Sequence, residues 1–402
     1  MPNQTLKGFR DFLAPNLAVR NKVMNTLKGV FELYGFSELQ TPTLEYAEVL
    51  KGKYGEEAEK LMYLFRDQGE REVGLKYDLT VPLARVMAQY PNLPKPYKRY
   101  QIQPVFRAEN TQKGRYREFY QCDVDIVGTK SLYADAEILG VISDGLKALG
   151  FTDFTIRINS RKILAQITDS TSVLQTLDKL DKKSEGEVKQ ELADKGLSNE
   201  KIDGIFTKLK AITPDEDLAM VMELATQLGV DKLEFDPTLV RGLDYYTGTI
   251  FETRVNEPKI GSITGGGRYD NLIKDLGGPD LPAVGTTLGL DRICDVITEL
   301  KLWPDLAATP TQVLVTVFSM ELGEEAMQLA KSLRAQGINT ETYPDATVKL
   351  DKQLKYASDK GIPYVTIIGP EEAEKGLVTL KNMTSGEQKQ MPISDVLNLV
   401  SK

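Results

Sequence analysis

Two extended segments limit the fold of this chain more than any other feature. Arg99–Phe106 alternates polar and apolar residues, and after the loop Arg107–Gly114 the extended pattern resumes over Arg115–Ile126. Period-two alternation marks a half-buried strand, so the pair predicts a long antiparallel hairpin. On the returning strand the alternation sends Phe119, Gln121, Asp123 and Asp125 to one face of a sheet.

Helical and extended patterns surround the hairpin. Val23, Leu27, Val30 and Phe31 fall at three- and four-residue spacings, which predicts an amphipathic helix over Val19–Phe31, ended at Gly35 before Pro42. Ala134–Leu149 reads as a helix and Phe154–Ile158 as a strand. Near residue 168 the text turns rich in Lys, Asp, Glu and Leu, with helix starts at Ser184/Glu187 and at Thr213-Pro214-Asp215-Glu216, the latter with proline at the first helical position. Prolines 304 and 310 mark a second boundary. Beyond it the runs Val313–Phe318 and Tyr364–Ile368 read as strands, and Glu321–Gln336 and Lys349–Lys360 as helices. A chain of 402 residues exceeds one ordinary core. The expected domains are 1–167 with 229–305, a helical insertion at 168–228, and an α/β domain at 311–402.

Composition removes whole mechanisms. There is no histidine among the 402 residues, so a Ser-His-Asp triad, a Cys-His pair, a zinc HExxH site and a histidine general base are all excluded. The two cysteines, Cys122 and Cys294, are too few for a disulfide framework; they point to a reducing cytosol, and no zinc is expected. The start carries no secretory signal, and no apolar run is long enough to span a membrane, so a cytoplasmic protein is expected. A net charge of −8 is not the broad basic field of many nucleic-acid binders, so any RNA contact must rest on local basic residues.

Four segments carry chemistry. The first runs Phe106-Arg107-Ala108-Glu109, then Lys113-Gly114-Arg115-Tyr116-Arg117-Glu118-Phe119, then Gln121, Asp123 and Asp125. A salt-bridged hairpin surface would use the same residue types. A one-sided row of acids and an amide beside arginines also suits a ligand carrying both charges, such as ATP plus an amino acid. Leu239–Gly248 fits a strand with a tight turn, Gly265–Asp270 a turn or bulge where backbone approaches a ligand, and Gly285–Arg292 an arginine at a helix start. No GxGxxG or P-loop is present.

Together these segments resemble the class II aminoacyl-tRNA synthetases and, within them, the histidyl-tRNA synthetase family. Tyr34–Pro42 is similar to the first class motif, a dimer-interface element, Phe106–Asp125 to the second and Gly285–Arg292 to the third; Arg241–Tyr246 and Gly265–Asp270 are similar to the two histidyl motifs. Leu75–Thr80 is similar to the amino-acid-binding segment. The resemblance implies an α/β (α+β) fold, with an antiparallel-sheet catalytic domain, a helical insertion and a C-terminal α/β anticodon-binding domain. It also implies roles. Arg107 and Arg241 flank the α-phosphate; Glu109, Arg115 and Arg292 hold other parts of ATP, with Phe119 stacked on adenine. Asp78, Thr80 and Gln121 take the α-ammonium group, and Asp125 and Tyr246 bracket the imidazole with Tyr245 nearby. ATP with Mg²⁺, histidine and the histidine tRNA are the implied partners, in a homodimer, with Arg117 near the extra 5′ nucleotide of the tRNA.

Two positions depart from the family pattern: Lys76 stands where arginine is usual, and Tyr120 where many members have histidine. The alternative is a catalytically silent, histidine-sensing subunit of ATP phosphoribosyltransferase, disfavoured because Arg107, Arg241 and Arg292 are all present. The missing histidines fit selection, design, or chance in a histidine-poor source. Without imidazoles, little side-chain titration is expected near pH 6–7.

Overall fold

The computed structural model describes residues 3–51, 59–111, 114–241 and 245–400. The chain divides into two compact units, one holding the residues up to Asp11 and Arg20–Trp303, the other Phe12–Val19 and the chain from Pro304.

The strands of the first unit, in chain order, are β1 (Ser37–Glu38), β2 (Leu44–Tyr46), β3 (Leu64–Arg66), β4 (Glu72–Leu75), β5 (Tyr97–Phe106), β6 (Glu118–Val127), β7 (Phe154–Ser160), β8 (Leu233–Phe235), β9 (Thr249–Val255), β10 (Thr264–Arg268) and β11 (Ala283–Gly289). Eight of them form one sheet in the order β1-β5-β6-β11-β10-β9-β7-β8. All its pairings are antiparallel except β1 with β5 and β7 with β8. The hairpin predicted from alternation is β5–β6, in register from Tyr97–Val127 to Phe106–Glu118. Its return strand begins at Glu118, not at Arg115. The Arg117 carbonyl still accepts from the Arg107 amide at 2.8 Å, but its own amide donates outward to Gly8 O at 2.9 Å, so regular strand pairing ends at Glu118.

Odd and even residues of β6 face opposite ways. Cys122, Val124 and Ile126 are buried on the face covered by helices Leu132–Ala148 and Leu290–Glu299. Gln121, Asp123 and Asp125 face the other side, which holds the cavity described below. The stretch from Thr171 to Gln227 is helical, around Val173, Leu177, Val188 and Phe206. The capping box at Ser184/Glu187 is present. At the second helix start the cap is Asp215 rather than Thr213: its carboxylate accepts from Leu218 N at 2.9 Å, and the helix begins at Glu216.

The second unit carries a five-stranded sheet of β12 (Val313–Val315), β13 (Thr340–Thr342), β14 (Tyr364–Ile367), β15 (Val378–Asn382) and β16 (Gln388–Met391), in the order β13-β12-β14-β15-β16. Its first two pairings are parallel, as strand–helix–strand connections require. Among the described residues no helix is long and apolar enough to cross a membrane.

Candidate active site

A cavity of about 450 Å³ opens over the middle of the large sheet. All the side chains nominated from sequence line it: Asp78, Thr80, Arg107, Glu109, Arg115, Phe119, Gln121, Asp125, Arg241, Tyr245, Tyr246 and Arg292. Lys113 and Gly242–Asp244, parts of two of the motifs, lie outside the described residues.

Strand register builds the floor. On β6, Asp125 lies between Arg99 of β5 and Gly285 of β11, and Asp123 between Gln101 and Thr287. Arg99 is wholly buried; its Nη2 is 2.8 Å from Asp125 Oδ2 and 3.9 Å from Asp123 Oδ2. The Tyr269 hydroxyl donates to the other Asp125 oxygen. That oxygen fills the space beside Gly285, where an added Cβ would lie 1.9 Å away. Gly265 and Gly267 leave room in the same way for the Arg241 guanidinium and the Tyr246 ring, each 3.1 Å from where a Cβ would stand. The Tyr245 hydroxyl donates to that of Tyr246 at 3.2 Å.

This end of the cavity is acidic and under-satisfied. Asp123 Oδ1, Gln121 Oε1 and Thr286 Oγ1 are buried without a hydrogen-bond partner, which native interiors rarely tolerate unless a ligand or water completes the site. Burial pushes the Asp123 carboxyl up to about 7; Arg99 opposes that rise and Asp125 adds to it. Burial also raises Asp125, against Arg99 and Tyr269. In a chain without imidazoles a titration step near pH 6–7 requires a shifted carboxylate or thiol, and Asp123 is a carboxylate that burial shifts into that range. Asp78 stands at the rim, its Oδ1 accepting from the amides of Thr80 (3.1 Å) and Val81 (3.0 Å) at the start of helix Thr80–Gln89.

The other end is cationic. Arg107 Nε donates to Tyr77 O at 3.2 Å, and its guanidinium lies 4.3 Å from the Tyr77 ring centre and 5.2 Å from that of Phe119. Arg241 donates through Nε to the buried Glu252 and through Nη2 to Ser262 Oγ at 2.8 Å. Arg292 donates to Ser262 O at 2.6 Å and Gly114 O at 3.4 Å. Burial pulls the Arg292 pKa down, and the fields of Arg115, Arg241 and Arg107 pull it further. Mutual repulsion of this kind stores affinity for a polyanion.

Sequence reasoning missed several residues that hold the site. Arg99 and Tyr269 meet Asp125 only through pairings far apart in the chain; the period-two pattern of β5 was the one available signal for Arg99. Asp123 was legible as a facing residue at most, and Thr286 only as part of the Gly285–Arg292 segment. Asp291, inside the third motif, accepts from Arg10, from Arg20 at 2.6 Å and from the Tyr120 amide at 3.3 Å, and so ties that motif to β6. Glu252 and Ser262 belong to no motif. Lys76, buried, donates to Gln103 Oε1 at 2.8 Å and Thr41 O at 3.3 Å.

An antiparallel sheet whose central strands carry a cavity with arginines at one end and carboxylates at the other is the catalytic scaffold of a class II aminoacyl-tRNA synthetase. Residues 8–293 match the family model described as histidyl-tRNA synthetase, and residues 312–402 the one described as anticodon binding domain. The chain belongs to the histidyl-tRNA synthetase family. It is 40% identical to the histidine–tRNA ligase of Cytophaga hutchinsonii, across 98% of each chain. It is 41% identical to that of Wolinella succinogenes, across 96% of this chain and 95% of the relative. The solved histidyl-tRNA synthetase of a Nostoc species superimposes with a TM-score of 0.86 at 31% identity, covering 100% of this chain and 99% of that one.

Proposed function

We propose that this cavity joins histidine to ATP and then passes the histidyl group to the 3′ end of the histidine tRNA. The charge polarity of the cavity carries the reading. Its cationic end suits a triphosphate, and its acidic end suits the ammonium and imidazole of histidine. One histidine carboxylate oxygen attacks the α-phosphorus, the bond to the β-phosphate oxygen breaks, and pyrophosphate leaves. Arg107 and Arg241 take up the charge that grows at the α-phosphate, while Arg115, Glu109 and Arg292 hold the rest of ATP. The attacking carboxylate is already ionised, so no side-chain base is needed and the absence of histidine costs this step nothing. ATP enters as its Mg²⁺ complex, with oxygen ligands to the metal. Phe119, beside Arg107, offers its ring to adenine.

Asp78, Thr80 and Gln121 take the α-ammonium group. Asp125 and Tyr246, with Tyr245 behind, read the ring nitrogens. The unpartnered oxygens of Gln121 and Asp123 support this, because a site built to hydrogen-bond rejects apolar analogues that leave its groups unpaired. In the second step the terminal tRNA hydroxyl attacks the activated carbonyl and AMP leaves. Arg117 or its neighbours contact the extra 5′ nucleotide of the tRNA. The chain acts in the cytoplasm, without zinc, as a homodimer through Tyr34–Pro42. Exposed Leu44 and Tyr46 next to that segment (41% and 56% accessible) support the dimer. ATP–pyrophosphate exchange measured with each of the twenty amino acids tests the reading. Exchange with histidine alone is expected. Histidine binding without exchange would move the chain to the silent regulatory class.

A further inference from the structure

Arg241 is anchored from behind the cavity. Its Nε donates to Glu252 of β9, a carboxylate only 2% exposed. The Ser262 hydroxyl, which accepts from Arg241, donates to the same Glu252 oxygen at 2.8 Å. The other oxygen, Oε1, lies 3.1 Å from Arg157 Nη1 and 2.7 Å from Arg254 Nε. Both of these arginines then close on Asp181: Arg157 Nη1 is 3.0 Å from its Oδ1, and Arg254 Nη2 pairs with its Oδ2. Asp181 ends the 3₁₀ turn Asp178–Asp181, which belongs to the helical insertion.

The same turn has a second hold. The Val240 amide, just before Arg241, faces the Asp178 carboxylate and favours its charged form, against the rise that burial and Asp181 impose. A third hold is apolar: Leu239 and Val240 lie in the insertion's own core with Val173, Leu177 and Phe206. So the backbone leading into Arg241 and the carboxylate behind it are both fixed from the insertion.

We propose that the 3₁₀ turn Asp178–Asp181 is a positioning element for Arg241, so that adenylate formation depends on how the insertion is seated. This rests on the reading that Arg241 acts at the α-phosphate. Arg157 also pairs with Asp236, so with Asp181 neutral it is chiefly Arg254 that loses an anion and turns its charge on Glu252, and the Arg241 guanidinium drifts from the position in which it meets the growing charge. Histidine, held at the far end of the cavity, is not disturbed.

The test uses the full chain and four variants: Asp181→Asn, Asp181→Glu, Glu252→Gln, and the double variant Asp181→Asn with Glu252→Gln. Asp181→Asn is expected to lower kcat for pyrophosphate exchange about tenfold and to leave the KM for histidine, and histidine binding by calorimetry, within about twofold. Asp181→Glu restores most of the rate. If one relay carries the effect, the double variant is no slower than Glu252→Gln alone. The proposal is overturned by a kcat within about twofold of the parent, by losses that multiply in the double variant, or by a loss shared with histidine binding. A parent chain that does not exchange at all with histidine would instead remove the underlying reading of Arg241.

Discussion

Gly285 shows how narrowly single residues are fixed here. A methyl group there would need the space that Asp125 Oδ1 occupies, so Gly285→Ala must push the carboxylate off Arg99 and Tyr269. Overpacking of this kind costs about 1–3 kcal/mol, so histidine should bind roughly 5- to 150-fold more weakly by calorimetry. Asp123 gives a different signature. Its folded-state pKa is raised above the ordinary carboxylate range, so the folded chain keeps a proton that the unfolded chain has lost. The stability tied to this group is therefore full below the unfolded pKa and falls as pH rises through about 7. Urea unfolding at about pH 5 and about pH 8 should show that fall in the parent, and Asp123→Asn should flatten it. Residues such as Gln121 and Asp125 were legible because alternation alone decides which face they take. Arg99, Tyr269 and Glu252 were not, since what makes each important is a partner elsewhere in the sequence.

Among elements, the hairpin β5–β6 was readable because ten residues on each strand keep one pattern. Its return boundary was not, because the Arg117 amide is taken by the carbonyl of Gly8, far earlier in the chain, while the Arg117 carbonyl keeps its partner in Arg107. Helix starts illustrate a finer ambiguity. Thr213 and Asp215 are both chemically fit to cap the helix that follows, and local sequence does not choose between them. The carboxylate wins, in line with Glu216 and Asp217 in the first turn, where the helix dipole favours negative charge. Asp215→Ala should cost about 1 kcal/mol in denaturant unfolding and leave pyrophosphate exchange unchanged.

For the whole molecule, each unit has its own apolar core. One of those in the first unit is built from Leu83, Met87, Ile273 and Ala283, while that of the second includes Val313, Leu329, Leu333 and Val396. A chain ending at Trp303 should therefore fold and carry out pyrophosphate exchange. Its kcat/KM for tRNA should drop on the order of a hundredfold, because a second point of attachment is gone. Comparing exchange with charging on the same preparation checks both halves of that statement. Prolines 304 and 310 stand at the point after Trp303 where the two units divide, whereas nothing in the sequence reading pointed to Phe12–Val19 belonging with the second unit. The arginines and acids of the cavity were legible in the sequence, but their gathering around one cavity depends on segments from Asp78 to Arg292 folding onto one sheet.

That charge separation bears on the order in which products leave. In the proposed reaction, the arginine end faces a triphosphate before the first step. Afterwards it faces a detached pyrophosphate and an adenylate whose single phosphate carries one negative charge. The adenylate remains tethered by its histidyl part at the carboxylate end, whereas pyrophosphate has no such tether. The molecule can thus discard one product while keeping its reactive intermediate in place for the incoming tRNA, and no moving part is needed to tell the two apart.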